Sequence, residues 1–449
     1  MTGKEKIFEL LGKVVAGSKA DFAEAVFLGT DYGLTRYANS MIHQNVADQN
    51  NNVSFKVAIG KKVGVASTNV LELESLHKTC NDAIEIAERA KPNPHSAFLS
   101  RPARYKKLTT YFKQTAGVTP AKRAAIVKRI CQRAERKGLI ASGSLTTSVS
   151  EIAIVNNKGV AAYQPNTSTF VNMIFSSADS SGYAQGLSRR FDMIDFNRLI
   201  ARAEEKCLKS QNPVTLEPGR YDVFLEPVAV ANLLEWLTFI AFSANPYHEK
   251  TSFLSGRKGK KIGSTLLSIY DDGLDIKGIA FPFDFEGVPK KRVFFIRKGL
   301  GGTPVYDQAT AKKYKAKSTG HGMPPGNTGG PVPFNVHVAP GTRNSVKMLQ
   351  SIERGILVTR FHYINGFLDP PKALLTGMTR DGTFLVENGK IVSGVKNLRF
   401  TESMLRAFGN IVAVSKETEL VDTWWSDIGC ITAPALHVRD FTFTGKTEF

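Results

Sequence analysis

Apolar residues recur at the spacing of an amphipathic helix in four segments of the first half of the chain. Thr119-Pro120 opens one of these helices, with proline in the first turn where its missing N–H costs nothing, and Asp195 is expected to cap the last of these segments. Asn69, followed by Glu72, resembles a capping box. The four predicted helices begin at Lys4, Asn69, Pro120 and Asp195.

Alternating or β-branched residues predict strands between these helices. The predicted strands cover residues 23–29, 35–38, 53–59, 63–67, 143–156, 159–163 and 168–177. Short turns, such as 60–62 and 156–159, connect several of them and favour antiparallel pairing. The first half is therefore predicted to be an antiparallel sheet with long helices, which belongs to the α+β class.

The second half starts with a short predicted strand, 221–225, and an apolar helix headed by Pro227. This helix, 228–242, carries Glu235 as its only charge, so it is expected to lie inside a domain. Further strands are predicted at 276–283, 293–297, 334–339, 356–365 and 436–444. The pattern predicts an antiparallel β domain wrapped around one central apolar helix.

The strongest local pattern is a hairpin in this second half. Two β-prone runs, 382–387 and 390–395, flank Asn388-Gly389, a pair that is typical of a two-residue turn. Thr401 is then expected to cap a short helix.

A proline-rich connection, 211–219, separates the two halves. Since 449 residues exceed what one core normally serves, two domains are predicted, 1–217 and 218–449. The Gly-, Pro- and Lys-rich stretch 312–333 is predicted to be a long irregular loop.

The chain carries a formal net charge of +19, which raises the question of nucleic-acid binding. Its lysines and arginines form scattered clusters without a helix-turn-helix, zinc-finger or RNA-binding motif. A solvated basic surface is therefore favoured. No apolar run is long enough for a membrane helix, the start has no secretory pattern, and four widely spaced cysteines fit reduced thiols, so a cytoplasmic location is expected.

Several segments carry a family resemblance: 285–289, 306–307, 318–320, 359–366 and 376–384, with a weaker echo at 34–40. In wording and order they resemble the TldD/PmbA family, the modulators of DNA gyrase that are also classed as peptidases. Their order and spacing agree with the family over most of 221–445, and with the echo at 34–40 the resemblance covers nearly the whole chain. It implies the two-domain α+β fold described above.

TldD-type members of that family are zinc peptidases with a His-Glu-x-x-x-His motif on a helix. The bound metal would polarise the peptide carbonyl and activate water. In this chain the corresponding helix, 228–242, contains no histidine. His248-Glu249 follows it, but Phe253 stands where the second histidine is required.

The chain thus resembles the PmbA/TldE branch, which lacks the metal ligands. This implies no catalytic residue and no cofactor of its own, with zinc only in a TldD-type partner; pairing with itself is the other option. An atypical metal site drawing on His248, Glu249 or Cys430 remains open, as does a gyrase-associated role. Other nucleophile and phosphate-loop motifs are absent.

An unfolded peptide can add as a strand to the edge of a β-rich domain. The segments 359–366 and 377–383 are the expected cavity-facing positions. Four polar residues there are the candidate substrate-binding groups: Arg360, His362, Asn365 and Arg380. The alternative is that they only fix turns and pair with carboxylates.

Overall fold

Two β-sheets with helices packed on them organise the chain. The computed structural model describes residues 1–93, 95, 100–424 and 428–447. Helices account for 24% and strands for 42%, so the predicted α+β class is confirmed. Among the described residues, no helix has the length and apolar character needed to cross a membrane.

The first sheet is antiparallel and has six strands in the order β3-β2-β1-β4-β5-β6. These strands are β1 (Phe22–Ala38), β2 (Met41–Ile59), β3 (Lys62–Thr68), β4 (Ile140–Asn156), β5 (Ala161–Ser176) and β6 (Ser181–Ser188). The helices of this half are α1 (Lys4–Ala16), α2 (Leu73–Arg89), α3 (Lys113–Ala116), α4 (Pro120–Glu135) and α5 (Phe196–Lys209).

Side-chain caps begin two of these helices: the cap at Asp195 and the helix start at Thr119-Pro120 were predicted, and the cap at Thr119 was not. Thr119 accepts a hydrogen bond from the Lys122 amide at the start of α4, and Asp195 accepts one from the Arg198 amide at the start of α5. The capping box at Asn69 is wrong. The Thr68 hydroxyl accepts from the Val70 amide at 3.1 Å, so Asn69 lies in the turn and α2 starts only at Leu73.

Several predicted strands are parts of longer ones. Residues 30–34 of β1 pair on both sides, with β2 and with β4, so the two predicted strands 23–29 and 35–38 are continuous. Strand β5 likewise joins 159–163 and 168–177. Long antiparallel partners impose an extended backbone where the local pattern is interrupted.

The second sheet has eleven strands and surrounds helix α6 (Pro227–Ile240). Its strands are β7 (Gly219–Leu225), β8 (Ile269–Asp271), β9 (Val293–Arg297), β10 (Leu300–Gly301), β11 (Asn335–Val338), β12 (Arg354–Asp369), β13 (Leu374–Glu387), β14 (Lys390–Gly394), β15 (Leu398–Ser403), β16 (Ile411–Val421) and β17 (Cys430–Lys446). The remaining helices are α7 (Ala244–His248), α8 (Gln308–Lys313), α9 (Ser345–Gln350) and α10 (Met404–Gly409).

The central position of α6 is confirmed, because Leu233, Leu234 and Leu237 are buried in the largest apolar core together with residues of the second sheet. The sheet is mixed, however, so the purely antiparallel prediction is wrong. Strand β12 runs parallel to β7, and β11 parallel to β17. The long connection that carries α6 allows the chain to return in the same direction, as a parallel pair requires.

The hairpin prediction is confirmed: β13 and β14 are joined at Asn388 (φ 49°) and Gly389 (φ 75°), both left-handed as a type I′ turn requires. Two nearby predictions are wrong. Residues 276–283 form no regular strand, since the carboxylates of Asp272 and Asp275 bind following amides and hold turns. Thr401 pairs within β15, and α10 starts after Ser403 without a side-chain cap.

The connection 211–219 passes between the two sheets, where Val214 bridges to Val395. The stretch after α8, 314–333, is irregular as predicted. All four cysteines are free and buried, three of them in α2, α4 and α5. The division into domains at 217 and 218 stays a prediction.

Candidate functional site

A bulge in strands β12 and β13 positions the polar residues singled out from the sequence. Arg360 is paired with Arg380 across the two strands, and the register shifts between Val358 and Arg360. On β13, Asp381 (φ 53°) and Gly382 (φ 115°) adopt left-handed backbone conformations. This local turn places the Asp381 carboxylate against β6, where it accepts a hydrogen bond from the Ser181 hydroxyl at 2.8 Å.

Arg360 has a structural role at this bulge. Its Nε donates to the Asp381 carboxylate at 2.7 Å, and its guanidinium lies 4.6 Å from the centre of the Tyr183 ring. The side chains of this ion pair are 18% and 5% exposed, so most of the guanidinium is shielded from solvent. Arg360 therefore fits the alternative interpretation of the sequence, in which these residues pair with carboxylates.

The other three candidates differ from one another. His362 is half-buried, and its pKa is lowered by burial and then by the positive charges of Arg360 and Arg380. Arg380 is half-buried, and its side chain makes no hydrogen bond or ion pair with any residue that the structure describes. Asn365 is exposed farther along β12, where its side chain accepts a hydrogen bond from the Phe367 amide at 2.8 Å.

Arg380 lines a cavity of about 670 Å³ between the two sheets, which we call the junction cavity. Its walls are formed by residues 177–181, 210, 212–213, 380–383 and 395–397. Sequence reasoning pointed to 377–383 but gave no indication of the opposite wall. The reason is distance along the chain, because Ser181 and Asp381, which are in contact across the cavity wall, are 200 residues apart.

The edge of β13 is open where it borders this cavity. Its ladder with β15 ends at Met378, and its ladder with β14 begins at Phe384. Between them, Leu398 donates to the Thr379 hydroxyl at 2.9 Å, and Val395 donates to the Thr383 carbonyl at 2.8 Å. The main chain of 380–382 therefore has no strand partner on this side within the described part of the chain.

The charges in the junction cavity are unequally paired. Asp381 is held by Arg360 and Ser181, and Asp179 accepts from the Asn212 amide at 2.8 Å. Arg380 and Lys396 have no carboxylate within ion-pairing distance among the described residues. In addition, the Thr383 hydroxyl is buried and lacks a hydrogen-bond partner in the described structure.

Aromatic side chains and an open strand edge lie beside α6. The rings of Trp236, Phe239, Phe367 and Trp424 meet edge to face at centroid distances of 5.4–6.5 Å. Strand β12 pairs with β7 only over 355–358, so its continuation 359–369 pairs with β13 alone in the described structure. Tyr363, Phe367 and Leu368 are strongly exposed there.

Helix α6 does not offer a zinc site. The sequence Leu234-Glu235-Trp236-Leu237-Thr238-Phe239 keeps the glutamate of His-Glu-x-x-x-His but has Leu and Phe at the histidine positions. Burial raises the pKa of Glu235 to about 7, and its carboxylate accepts a hydrogen bond from the Trp424 amide at 2.6 Å. Leucine and phenylalanine side chains have no atom that binds zinc.

The other metal candidates are separated. His248 ends the short helix α7 rather than lying in a loop as expected; Pro246 is accommodated near the start of that helix. Its Nε2 lies 2.9 Å from the Tyr306 hydroxyl, while Glu249 is near Lys313 and Cys430 is buried beside Asn335. Within the described residues, no three His, Cys, Asp or Glu side chains are placed to hold a metal ion.

One arrangement was not found from the sequence. Thr319, His321 and Asp271 form a row in which the imidazole contacts the hydroxyl and the carboxylate, both at 2.9 Å. His321 and Asp271 are completely buried, and the Thr319 hydroxyl also binds the Tyr306 main chain. The row resembles a nucleophile with its base, but its buried groups bind one another and the main chain, so it holds the loop 306–321 in place.

A second cavity, of about 360 Å³, lies beside the family-like segment 285–289. Glu24 and Glu286 line it, and Asp284 is buried nearby. Burial raises the pKa of Glu24 to about 7, and burial together with Asp284 raises the pKa of Glu286. Lys56 lies 4.0 Å from the Glu286 carboxylate.

The fold and the site together define an α+β protein with two sheets, a polar cavity between them, and an apolar helix surrounded by the second sheet. A family model described as the PmbA/TldA metallopeptidase C-terminal domain matches residues 218–445, and the central-domain model matches 113–211. The chain therefore belongs to the TldD/PmbA family.

Relatives and solved structures agree with this assignment. The chain is 21% identical to metalloprotease MJ0996 of Methanocaldococcus jannaschii over 385 residues, which is 82% of this chain and 84% of the relative. It is 28% identical to metalloprotease PmbA of Escherichia coli O157:H7 over 211 residues, 45% and 44% of the two chains.

Two crystal structures have the same fold. TldE from Thermococcus kodakarensis superposes with a TM-score of 0.88 at 19% identity, covering 98% of this chain and 99% of that one. TM0727 of Thermotoga maritima, described as a putative modulator of a DNA gyrase, gives a TM-score of 0.85 at 22% identity, with coverages of 98% and 100%.

Proposed function

We propose that this chain is the non-metal subunit of a cytoplasmic TldD/TldE-type peptidase, which holds unfolded peptides while a TldD-type partner supplies the zinc. Membership of a metallopeptidase family supports a role in peptide processing. The pairing with a zinc-bearing subunit follows from the resemblance to the PmbA/TldE branch.

The composition of α6 carries this proposal. Leu234 is 1% exposed and belongs to the apolar core, whereas Phe239 belongs to the surface cluster of aromatic rings. At both positions where the motif requires a histidine, the helix thus has a packing side chain. Glu235 alone cannot hold a metal, since zinc sites in proteins use three or four ligands.

Peptide holding is supported by the edges of β12 and β13 that no further strand covers in the described structure, although the Phe361 amide of β12 is already bound by the Asn232 side chain. An extended peptide that adds to such an edge is bound through main-chain hydrogen bonds, which do not depend on its sequence. The exposed aromatic side chains beside 359–369 offer apolar contacts for alternate residues of the peptide. Such a surface suits unfolded substrates of varied sequence.

The test measures zinc content, oligomeric state and peptide cleavage of the pure chain, alone and mixed with a TldD-type chain of the same organism. We expect a protein without stoichiometric zinc, inactive alone, that forms a complex with the partner and supports cleavage in the mixture. One zinc per chain with zinc-dependent cleavage by the chain alone would contradict the proposal and favour an atypical metallopeptidase.

A nucleic-acid-associated role is the second candidate, since the net charge of +19 favours binding to phosphates. Binding of labelled duplex DNA, measured at about 50 mM salt where phosphate contacts are strongest, tests it. Absence of binding at that salt concentration removes this candidate.

A further inference from the structure

We propose that the junction cavity binds a carboxylate of an extended peptide through the side chains of Arg380 and Lys396. The carboxylate belongs either to the C-terminus of the peptide or to an acidic side chain. This inference rests on the proposed function, because it assigns to the peptide-holding subunit a preference for one chemical group.

The wall of the junction cavity is positively charged. Arg360 and Asp381 neutralise each other, and Asp179 is the remaining carboxylate in the wall. Arg380 and Lys396 are both half-buried, and within the described residues neither has an ion-pair partner. The wall therefore keeps an excess positive charge, and a guanidinium with free donors is suited to bidentate binding of a carboxylate.

The junction cavity also presents neutral hydrogen-bonding groups on its two walls. In the described structure the main chain of 380–382 has no strand partner on the cavity side, as the ladders of β14 and β15 stop on either side of it. Serines 177, 180, 181 and 210 line the opposite wall, where their hydroxyl groups are already hydrogen-bonded within the protein, that of Ser181 to Asp381 and that of Ser210 to the Ser181 carbonyl. Their oxygen atoms keep lone pairs that can accept from peptide amides. The last residues of an extended peptide can thus bind to the edge of β13 while its carboxylate reaches the two cations.

The size of the junction cavity and the net charge of the chain bear on which ligand it binds. A volume of about 670 Å³ exceeds what a single anion needs and fits several peptide residues. The positive charge of the whole chain also attracts acidic ligands over long distances at low ionic strength. The volume favours a peptide carboxylate over a small inorganic anion, and the net charge favours acidic ligands in general.

The experiment uses fluorescence anisotropy to measure the binding of three labelled peptides to the full chain. All three are based on one sequence without charged side chains. The first has a free C-terminal carboxylate, the second a C-terminal amide, and the third a C-terminal amide with one internal glutamate. We expect the first to bind about ten-fold more tightly than the second, the gain of one good charged contact. A gain for the third peptide would assign the site to acidic side chains as well.

Two double variants are compared with the native chain. In Arg380→Gln/Lys396→Gln the preference for the carboxylate should be lost. In the control Arg399→Gln/Lys390→Gln, which removes two exposed cations from the neighbouring strands β15 and β14, the preference should remain. Circular dichroism and thermal unfolding verify the fold of each variant, and the single variant Lys396→Gln should lose part of the preference if the double variant does not fold.

The possible results separate this inference from the proposed function. Equal binding of all three peptides to the native chain overturns the carboxylate site but leaves peptide holding intact. Failure of all three peptides to bind overturns both. Displacement of the labelled peptide by inorganic phosphate without any effect of amidation identifies a phosphate site, which also overturns the inference.

Discussion

Two arginines on neighbouring strands illustrate how position decides the role of a residue. Arg360 and Arg380 are paired across β12 and β13, yet Arg360 is bound to Asp381 whereas Arg380 lines the junction cavity without a partner among the described residues. Both belong to the segments that carry the family resemblance. Their difference arises from the left-handed backbone at Asp381, which turns one carboxylate toward Arg360.

Replacing Arg360 by leucine should destabilise the fold. Asp381 would remain as a buried charge without its cation, a loss of about 3–5 kcal/mol. The double variant Arg360→Leu/Asp381→Asn should be less destabilised, because asparagine tolerates the left-handed conformation and can still accept from Ser181. Urea-induced unfolding measures both variants; a fully stable Arg360→Leu protein would contradict the structural role of this pair.

The buried carboxyl group of Glu286 should make stability depend on pH. Burial and then Asp284 raise its pKa above the ordinary 4.5, so the folded chain holds a proton that the unfolded chain releases. The contribution of Glu286 to the free energy of unfolding is therefore fully present below about pH 4.5. It is lost as the pH rises through the pKa of the folded state, by up to about 1.4 kcal/mol per pH unit.

The variant Glu286→Gln should flatten this dependence, because the amide cannot ionise. The midpoint of thermal unfolding, followed from about pH 5 to about pH 9, measures the slope for the native chain and the variant. Exposed Glu74→Gln is the matched control and should leave the slope unchanged. A native-like slope in Glu286→Gln would show that other groups, such as Glu24, carry the effect.

Elements with a strong local signal were predictable from the sequence. The turn at Asn388-Gly389, the helix start at Thr119-Pro120 and the cap at Asp195 depend on neighbouring residues only, and all three are present. The start of α2 was missed because two local arrangements competed, and the Thr68 hydroxyl bond excluded the capping box at Asn69. Local chemistry thus predicts an element well where one arrangement dominates.

The type I′ turn at Asn388-Gly389 can be tested directly by substitution. Gly389→Ala should cost at least about 2 kcal/mol, since alanine is disfavoured in the left-handed region and its Cβ would lie 2.3 Å from the Gln350 carbonyl oxygen. Asn388→Gly, in the same turn, should change stability by about 0.5 kcal/mol or less. Denaturant unfolding measures both, and equal effects would argue against the type I′ turn.

The candidate site depends on contacts that no local pattern contains. The junction cavity joins the β5–β6 turn, the connection after α5 and the bulge of β13, which are far apart in sequence. The parallel pairing of β7 with β12 likewise follows from a long connection rather than from either strand alone. The sequence therefore indicated Arg380 as a candidate but could not indicate the other residues of the cavity wall, such as Lys396 and the serines of 177–181.

The whole molecule is joined by a charged network between its two halves. Arg202 and Lys206 on α5 both bind Glu226, the residue that precedes α6, and Arg202 also binds Glu419 on β16 at 2.7 Å. Burial acts to raise the pKa of Glu226, but Arg202 and Lys206 together lower it. Burial lowers the pKa of Lys206 to about 8. The network therefore balances two cations against two carboxylates at the contact between α5 and the second sheet.

Removing the central charge of this network should weaken the contact between the halves. In Glu226→Gln, Arg202 and Lys206 remain as like charges with little solvent around them, which should cost about 3–5 kcal/mol at neutral pH. Glu419→Gln is the control: that side chain is 32% exposed and pairs with Arg202 alone, so about 1 kcal/mol or less is expected. Each sheet has an apolar core of its own, and a further core joins the two halves, with Ile152 and Leu187 of the first sheet and Phe281 of the second half. If the network is needed for coupling in addition to this shared core, calorimetry should resolve two unfolding transitions in Glu226→Gln. A single transition at the native temperature would mean that apolar contacts, such as Tyr183 of β6 packed in the core of the second sheet, already suffice to couple the halves.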